Sequence, residues 1–229
     1  MNLVFDIETV GCDIEDLTES QQEFLLRQSE HEADPVKKEL LFADAKRYLS
    51  LYPLTAKVIS IGLLDVVSEK VIVLFEAGRD TQWVNEEVEV TYKPMSEPEM
   101  LTKFWIYVSR SAKLISFNGR NFDLSFLMMR SAIHKIKPAK NLLKNRYDIS
   151  QHVDLLEQFT FYGVTRKFNL DFYCKSFGIA SPKSEGITGM EVKELYKAGR
   201  MKEIAIYCGK DIRATFELYK VWDEYLNVK

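Results

Sequence analysis

At 229 residues, 46% hydrophobic and 28% charged, the chain is long enough to bury a sizeable core as one large domain, and its composition is ordinary for a globular protein. A formal net charge of -3 excludes a general electrostatic attraction to nucleic acid, so any such binding must come from a local basic patch or bridging cations. Three cysteines without CxxC or Cys/His spacing (Cys12, Cys174 and Cys208) read as thiols, no apolar run approaches the ~20 residues of a spanning helix, and the N-terminus enters a strand with no room for a signal peptide, so the expectation is a soluble cytoplasmic protein without a membrane partner.

The first element is a strand through Leu3-Val4-Phe5-Asp6-Ile7-Glu8-Thr9, ending at Val10-Gly11. A charged stretch from Asp13 to about Ser50 follows. Thr18-Glu19-Ser20-Gln21 caps one helix through Leu26, and Pro35 suits the first turn of a second, Val36 to Leu51. This reads as a helical excursion inside one domain spanning residues 1–229 and not as a domain of its own. Lys57 to Val67 and Val71 to Phe75 read as a hairpin, and Glu87 to Tyr92 as a shorter strand. Ser96 and Glu99 form a capping box for a helix with Met100, Leu101, Phe104, Trp105 and Val108 on its apolar face. Lys113 to Phe117 is a strand, Asn121 to about His134 a helix, and His152 to Leu156 a short strand. Asn169 caps a helix through Phe177, stopped by Gly178; a loop from Ala180 to Gly189 precedes a short helix, Glu191 to Ala198, and a long final helix, Met201 to Leu226. Strands first, then strands alternating with helices, imply one α/β domain with a mixed sheet.

Strand alternation sends Asp6 and Glu8 to the same face. Two carboxylates one pleat apart repel each other, and a buried uncompensated charge is costly. Either one is protonated or a cation sits between them, and hard oxygen donors suit Mg²⁺ or Mn²⁺. The plain alternative is a polar strand face that meets water. A second carboxylate setting is Asn118-Gly119-Arg120-Asn121-Phe122-Asp123, where a strand ends and a helix begins. Asp123 in a first helical turn complements the macrodipole, which is reason enough for it to be there; it is equally placed to face a ligand at the strand's C-terminal end. A third is Tyr207-Cys208-Gly209-Lys210-Asp211, where the four-residue spacing puts Tyr207 and Asp211 on one helical face, and Gly209 fits a close approach by another element or a substrate.

Phe-Asp-Ile-Glu-Thr, then Asn-Gly-x-x-Phe-Asp, then Tyr-x-x-x-Asp, in this order, resembles the three motifs of the DEDD 3′–5′ exonuclease superfamily, with the tyrosine of its DEDDy branch. The nearest likeness is to stand-alone predicted exonucleases related to the proofreading domain of family-B DNA polymerases. Leu54 to Gly62, His152 to Leu155 and the loop Pro182 to Gly189 look like that group too, so the resemblance runs from residue 3 to about 220. This chain departs from a polymerase in carrying no polymerase domain, and its excursion at 13–51 is longer than the motifs require.

The resemblance implies an RNase H-like fold, a mixed five-stranded sheet flanked by helices, in which Asp6, Glu8, Asp123 and Asp211 converge on two Mg²⁺ or Mn²⁺ ions that clamp an in-line displacement at phosphorus. It implies that Asp6 bridges both ions, that Glu8 and Asp211 complete the site of the attacking water, that Asp123 holds the second ion, and that Tyr207 orients the water. Thr9, Asn118 and Phe122 would contact the terminal nucleotide and Lys183 the scissile phosphate; Phe122 also fits the core, and Asp154 could support the site from its strand. The implied substrate is nucleic acid with a free 3′ end, single-stranded DNA first and RNA second, releasing 5′-mononucleotides; replication or repair proteins are the implied partners. Contacts to the 2′-hydroxyl would separate DNA from RNA, and the sequence does not reveal them. A non-catalytic nucleic-acid-binding module of the same fold would be favoured by loss of a carboxylate, and all four are present.

Overall fold

The computed structural model describes residues 1–76, 82–85, 89–181 and 191–228. Its elements are β1 (Asn2–Gly11), α1 (Glu19–Glu30), α2 (Pro35–Tyr48), β2 (Ala56–Asp65), β3 (Val71–Phe75), β4 (Trp83–Asn85), β5 (Val90–Pro94), α3 (Glu97–Arg110), β6 (Lys113–Ser116), α4 (Asp123–Ile133), β7 (His152–Asp154), α5 (Leu155–Phe159), α6 (Leu170–Ser176), α7 (Val192–Lys197) and α8 (Met201–Tyr225). The strands form one mixed sheet in the order β4-β5-β3-β2-β1-β6-β7. β1 runs antiparallel to β2 and parallel to β6.

The sheet has seven strands where the resemblance implied five, with β5 and β4 lying outside β3 at one edge. The strand expected over Glu87–Tyr92 is β5, which lies further along the chain. β4 is three residues long, too short to show alternation, and Trp83 stacks on Tyr92 of β5 with ring centroids 4.3 Å apart. The strand expected to continue through Leu156 ends at Asp154. There the Asp154 carboxylate accepts the backbone N–H of Leu156 at 3.0 Å and starts α5, so Leu155 and Leu156 are buried as helix residues. α2 begins on Pro35 with Asp34 as its cap and stops at Tyr48, where a 3₁₀ turn over Leu49–Leu51 takes over.

β1 is buried on both faces. Val4 and Val10 join a core built mainly on α8, with residues of α5, α6 and α7; Leu3, Phe5 and Ile7 join a second core built on α3 and α4. The alternation of β1 therefore hands Asp6 and Glu8 to the α8 side. The excursion packs α1 against α2 and returns through the 3₁₀ turn, whose Leu49 is buried against the end of β1. Among the described residues, no helix is long and apolar enough to cross a membrane.

Candidate active site

Three elements meet where β1 is flanked by α4 and α8. On β2, Gly62 lies opposite Asp6 and Ser60 opposite Glu8. A Cβ at Gly62 would collide with Ile212 and come within 3.1 Å of the Cys208 sulfur, both on α8. The missing side chain is thus what lets the final helix settle onto the sheet beside Asp6. One turn away, a Cβ at Gly209 would lie 3.2 Å from the Tyr92 hydroxyl, so the element that packs close to this glycine is β5. Tyr207 and Asp211, one turn apart, are 6% and 9% exposed and lie against β1 rather than solvent.

The α4 side is assembled by Asp154. Its two carboxylate oxygens accept the backbone N–H groups of Asn118 and Arg120, each at 2.9 Å. That fixes a turn in which Asn118 takes a left-handed φ of 62°, a region asparagine tolerates better than most residues. The turn delivers Asp123 to the first position of α4. Its Oδ1 accepts the N–H of Ile7 at 3.1 Å, tying the helix start to β1 between Asp6 and Glu8. Asp154 therefore acts through the backbone of a turn.

The electrostatics follow from this crowding. Burial, and then the charges of Asp123, Asp211 and Glu8, hold the Asp6 carboxyl well above the ordinary carboxylate range. Glu8 is raised in the same way by burial and by Asp211 and Asp123. Asp123 is pushed up to about 7, chiefly by burial, with Asp154 and Asp211 adding to it and its backbone hydrogen bonds opposing. The Tyr207 phenol rises above its usual value through burial, the charges of Asp211, Glu8 and Asp6, and its hydrogen bond to the Asp211 carboxylate. Asp6, Glu8 and Asp123, crowded with Asp211, resist ionisation, and such a set of hard oxygen donors suits divalent cations.

A family model described as a predicted 3′-5′ exonuclease related to the exonuclease domain of PolB matches residues 51–225. The chain belongs to this family. The matched range takes in Asp123, Tyr207 and Asp211, while Asp6 and Glu8 lie before it. Among solved structures, the family B DNA polymerase from the hyperthermophilic archaeon Pyrobaculum calidifontis is similar over 96% of this chain, at 18% identity and a TM-score of 0.59. At that identity the likeness shows the fold alone, which is RNase H-like, and the chain spans 24% of that polymerase's length. No curated protein matches the sequence. The PolB-type exonuclease described here is thus an enzyme of the phosphodiester-hydrolysing class. Exonuclease domains of this kind use divalent metals, and the buried oxygen donors of this exonuclease fit them.

The other expected site residues are placed unequally. Asn118 is half-buried at the turn, its side-chain oxygen accepting from Asn121 at 3.0 Å. Phe122 is half-buried as the cap of α4, against Phe126 and the α3/α4 core. Thr9 lies on the opposite face of β1 from the carboxylates, and its hydroxyl donates to the Ser50 carbonyl at 2.8 Å, leaving its backbone beside Glu8. Lys183 lies outside the described residues, as do all of 182–190, on which most of the expected loop falls. Cys208, read in the sequence as a plain thiol, lies beside the carboxylates. Its sulfur and carboxylate oxygens of Asp6 and Glu8 lie within 4.8 Å of one another, and burial with the charges of Asp6 and Glu8 keeps its thiol well above its usual range. The signal available was its three-residue spacing from Asp211, which shares a helical face.

Proposed function

We propose that this exonuclease hydrolyses single-stranded DNA from the 3′ end in a two-metal reaction, releasing 5′-mononucleotides. The observation that carries this reading is the crowding of Asp6, Glu8, Asp123 and Asp211, from β1, α4 and α8, in which the neighbouring charges, Asp211's among them, help hold Asp6, Glu8 and Asp123 above the ordinary carboxylate range. Asp6, Glu8, Asp123 and Asp211 would hold the two Mg²⁺ or Mn²⁺ ions, as the resemblance implies. When bound, the ions would supply the positive charge that holds the scissile phosphate and stabilises charge on the attacking and departing oxygens.

The chain's own residues supply placement. Asp123 has one oxygen committed to the Ile7 N–H, so its carboxylate is locked in orientation before any ligand arrives. Tyr207 keeps its proton in this acidic, buried setting, so it does not act as a base; its one O–H is engaged by Asp211, and its hydroxyl would orient water by accepting from it, or by donating to it once an ion takes up the Asp211 carboxylate. On the resemblance, Asn118, Phe122 and the backbone at Thr9 would contact the terminal nucleotide and Lys183 the scissile phosphate. The reading is tested by incubating 3′-labelled single-stranded DNA and RNA, side by side, with the protein and Mn²⁺. It expects degradation that chelator stops, with DNA the faster substrate. Equal rates would remove the DNA preference, and no degradation of either would remove the function.

A further inference from the structure

Exposed charge is spread unevenly along the chain. From 124 to 170 the one exposed carboxylate is Asp148, against the exposed cations Lys135, Lys137, Lys144, Arg146, Arg166 and Lys167, although the whole chain carries a net -3. Part of this surplus gathers at the turn that carries Asp123. Glu157 is buried and faces two guanidinium groups, that of Arg146 at 2.7 Å and that of Arg120 at 3.6 Å. Arg120 also donates to the Lys144 carbonyl at 3.1 Å, and its own N–H is held by Asp154, so Lys144 and Arg146 are tied to the Asn118–Arg120 turn. Asp148 feels the charge of Lys144, yet among the described residues no carboxylate pairs with Lys144, Arg166 or Lys167. The same place presents aromatic rings. Tyr147 is 67% exposed and meets Tyr162 edge-on, with centroids 4.9 Å apart, and Phe161 is 55% exposed. Phe161 and Tyr162 close α5 at φ of 49° and 59°, and the Tyr162 N–H donates back to the Glu157 carbonyl at 2.7 Å. Glycine or asparagine ordinarily takes such a helix end. A bulky ring there strains the backbone, and burial does not offset the strain at Phe161, which faces solvent.

We infer that this surface holds the single strand on the 5′ side of the cleaved nucleotide, with bases stacking on Phe161 and Tyr147 and phosphates passing Lys144 and Arg146. The inference rests on the exonuclease reading and adds to it the place of the strand beyond the site. Cations beside exposed aromatic faces are the chemistry by which single strands are held without sequence preference. Charge complementarity decides the occupant. In a chain that is acidic overall, a segment with cations left unpaired and almost no exposed carboxylate attracts a polyanion. A base that stacks on Phe161 also accounts for an aromatic ring held in solvent on a strained turn. The surface is anchored on the turn that delivers Asp123, so it lies within reach of a strand whose 3′ end is at the carboxylates.

The test uses the full chain and 5′-fluorescein oligo(dT) of several lengths, from a dinucleotide to a long strand, with binding followed by anisotropy in Ca²⁺ and turnover followed in parallel in Mn²⁺. The wild type is expected to bind the long strand more tightly than the dinucleotide. Phe161→Asn removes the ring and suits the left-handed backbone. It is expected to melt at or above the wild-type temperature while losing roughly 5-fold to 100-fold in Kd on the long strand, and little on the dinucleotide. A ring that only packs does not give weaker binding together with undiminished stability. Lys144→Gln is expected to reduce the slope of log Kd against log salt by about 0.7 for the phosphate contact removed. Turnover in Mn²⁺ with a wild-type Kd on the long strand in both variants, or with a length-independent Kd in the wild type, overturns the surface and leaves the exonuclease reading intact. A Phe161→Asn protein that melts lower and binds normally makes Phe161 a packing residue and overturns it too. If that variant melts lower and also binds weakly, the salt slope of Lys144→Gln decides: a reduced slope supports the surface and an unchanged one overturns it. Absence of turnover on every length overturns the exonuclease reading itself.

Discussion

Asp123→Asn isolates the electrostatic strain of the carboxylate cluster. The amide oxygen of asparagine can still accept the Ile7 N–H, so the link between α4 and β1 is kept while the charge is removed. Asp123 is raised from 3.8 to about 7 in the folded chain, which corresponds to about 4 kcal/mol held against its ionised form. A carboxyl raised on folding contributes its full stability below its unfolded value and loses it as the pH climbs through the folded value. The metal-free wild type therefore loses stability between about pH 4 and pH 7, and Asp123→Asn does not share that loss. The four groups titrate together, so part of the relief is passed to Asp6 and Glu8, and a gain of about 2–4 kcal/mol at pH 8 is expected. For a chain of this size that is roughly 5–15 °C in Tm. The assay is calorimetry of both proteins in chelator from pH 4 to pH 8. The difference between them should grow from near zero to a plateau above pH 7, and saturating Mn²⁺ should shrink it by stabilising the wild type more. A difference that is flat with pH, or a variant less stable at pH 8, would refute the reasoning.

Tyr207→Phe keeps the ring and removes the hydroxyl; kcat should fall on the order of 10²-fold, with metal affinity and 3′-end binding near normal, and a parent-like rate would make Tyr207 a packing residue. Gly62→Ala should cost about 1–3 kcal/mol in denaturant melts by driving a Cβ into Ile212, and Gly62→Ala combined with Ile212→Val, which removes the colliding methyl, should be more stable than the sum of the single changes predicts. Mg²⁺ and Mn²⁺ should both support turnover and Ca²⁺ should not, because Ca²⁺ prefers longer distances and higher coordination; full activity in excess chelator would remove the metal reading.

The parts of the fold governed by local pattern were legible. Alternation in β1 put Asp6 and Glu8 together, the Ser96–Glu99 capping box marked the start of α3, and the four-residue spacing of Tyr207 and Asp211 placed both on one face of α8. What was hidden depends on contacts between segments far apart in sequence. Leu155-Leu156 looked like more strand because two apolar residues fit either element; the Asp154 cap decided for helix. The same carboxylate's grip on the Asn118–Arg120 turn spans 36 residues and leaves no periodic trace. Thr9 looked free to meet substrate until the returning excursion offered it the Ser50 carbonyl. Cys208 was read for ligand spacing against other cysteines and histidines, whereas its neighbours are carboxylates on a different element.

The central claim is that four converging carboxylates make this a 3′-end hydrolase, and a single time course tests it most directly. A 5′-labelled single-stranded DNA is incubated with wild type and with Asp6→Ala in Mn²⁺, and chain lengths and released nucleotides are resolved. The account predicts a ladder shortening one nucleotide at a time from the 3′ end, 5′-mononucleotides as product, and an inert Asp6→Ala that melts at or above the wild-type temperature in chelator. Internal cuts, loss of the label as a mononucleotide from intact substrate, or wild-type activity in a folded Asp6→Ala would contradict it.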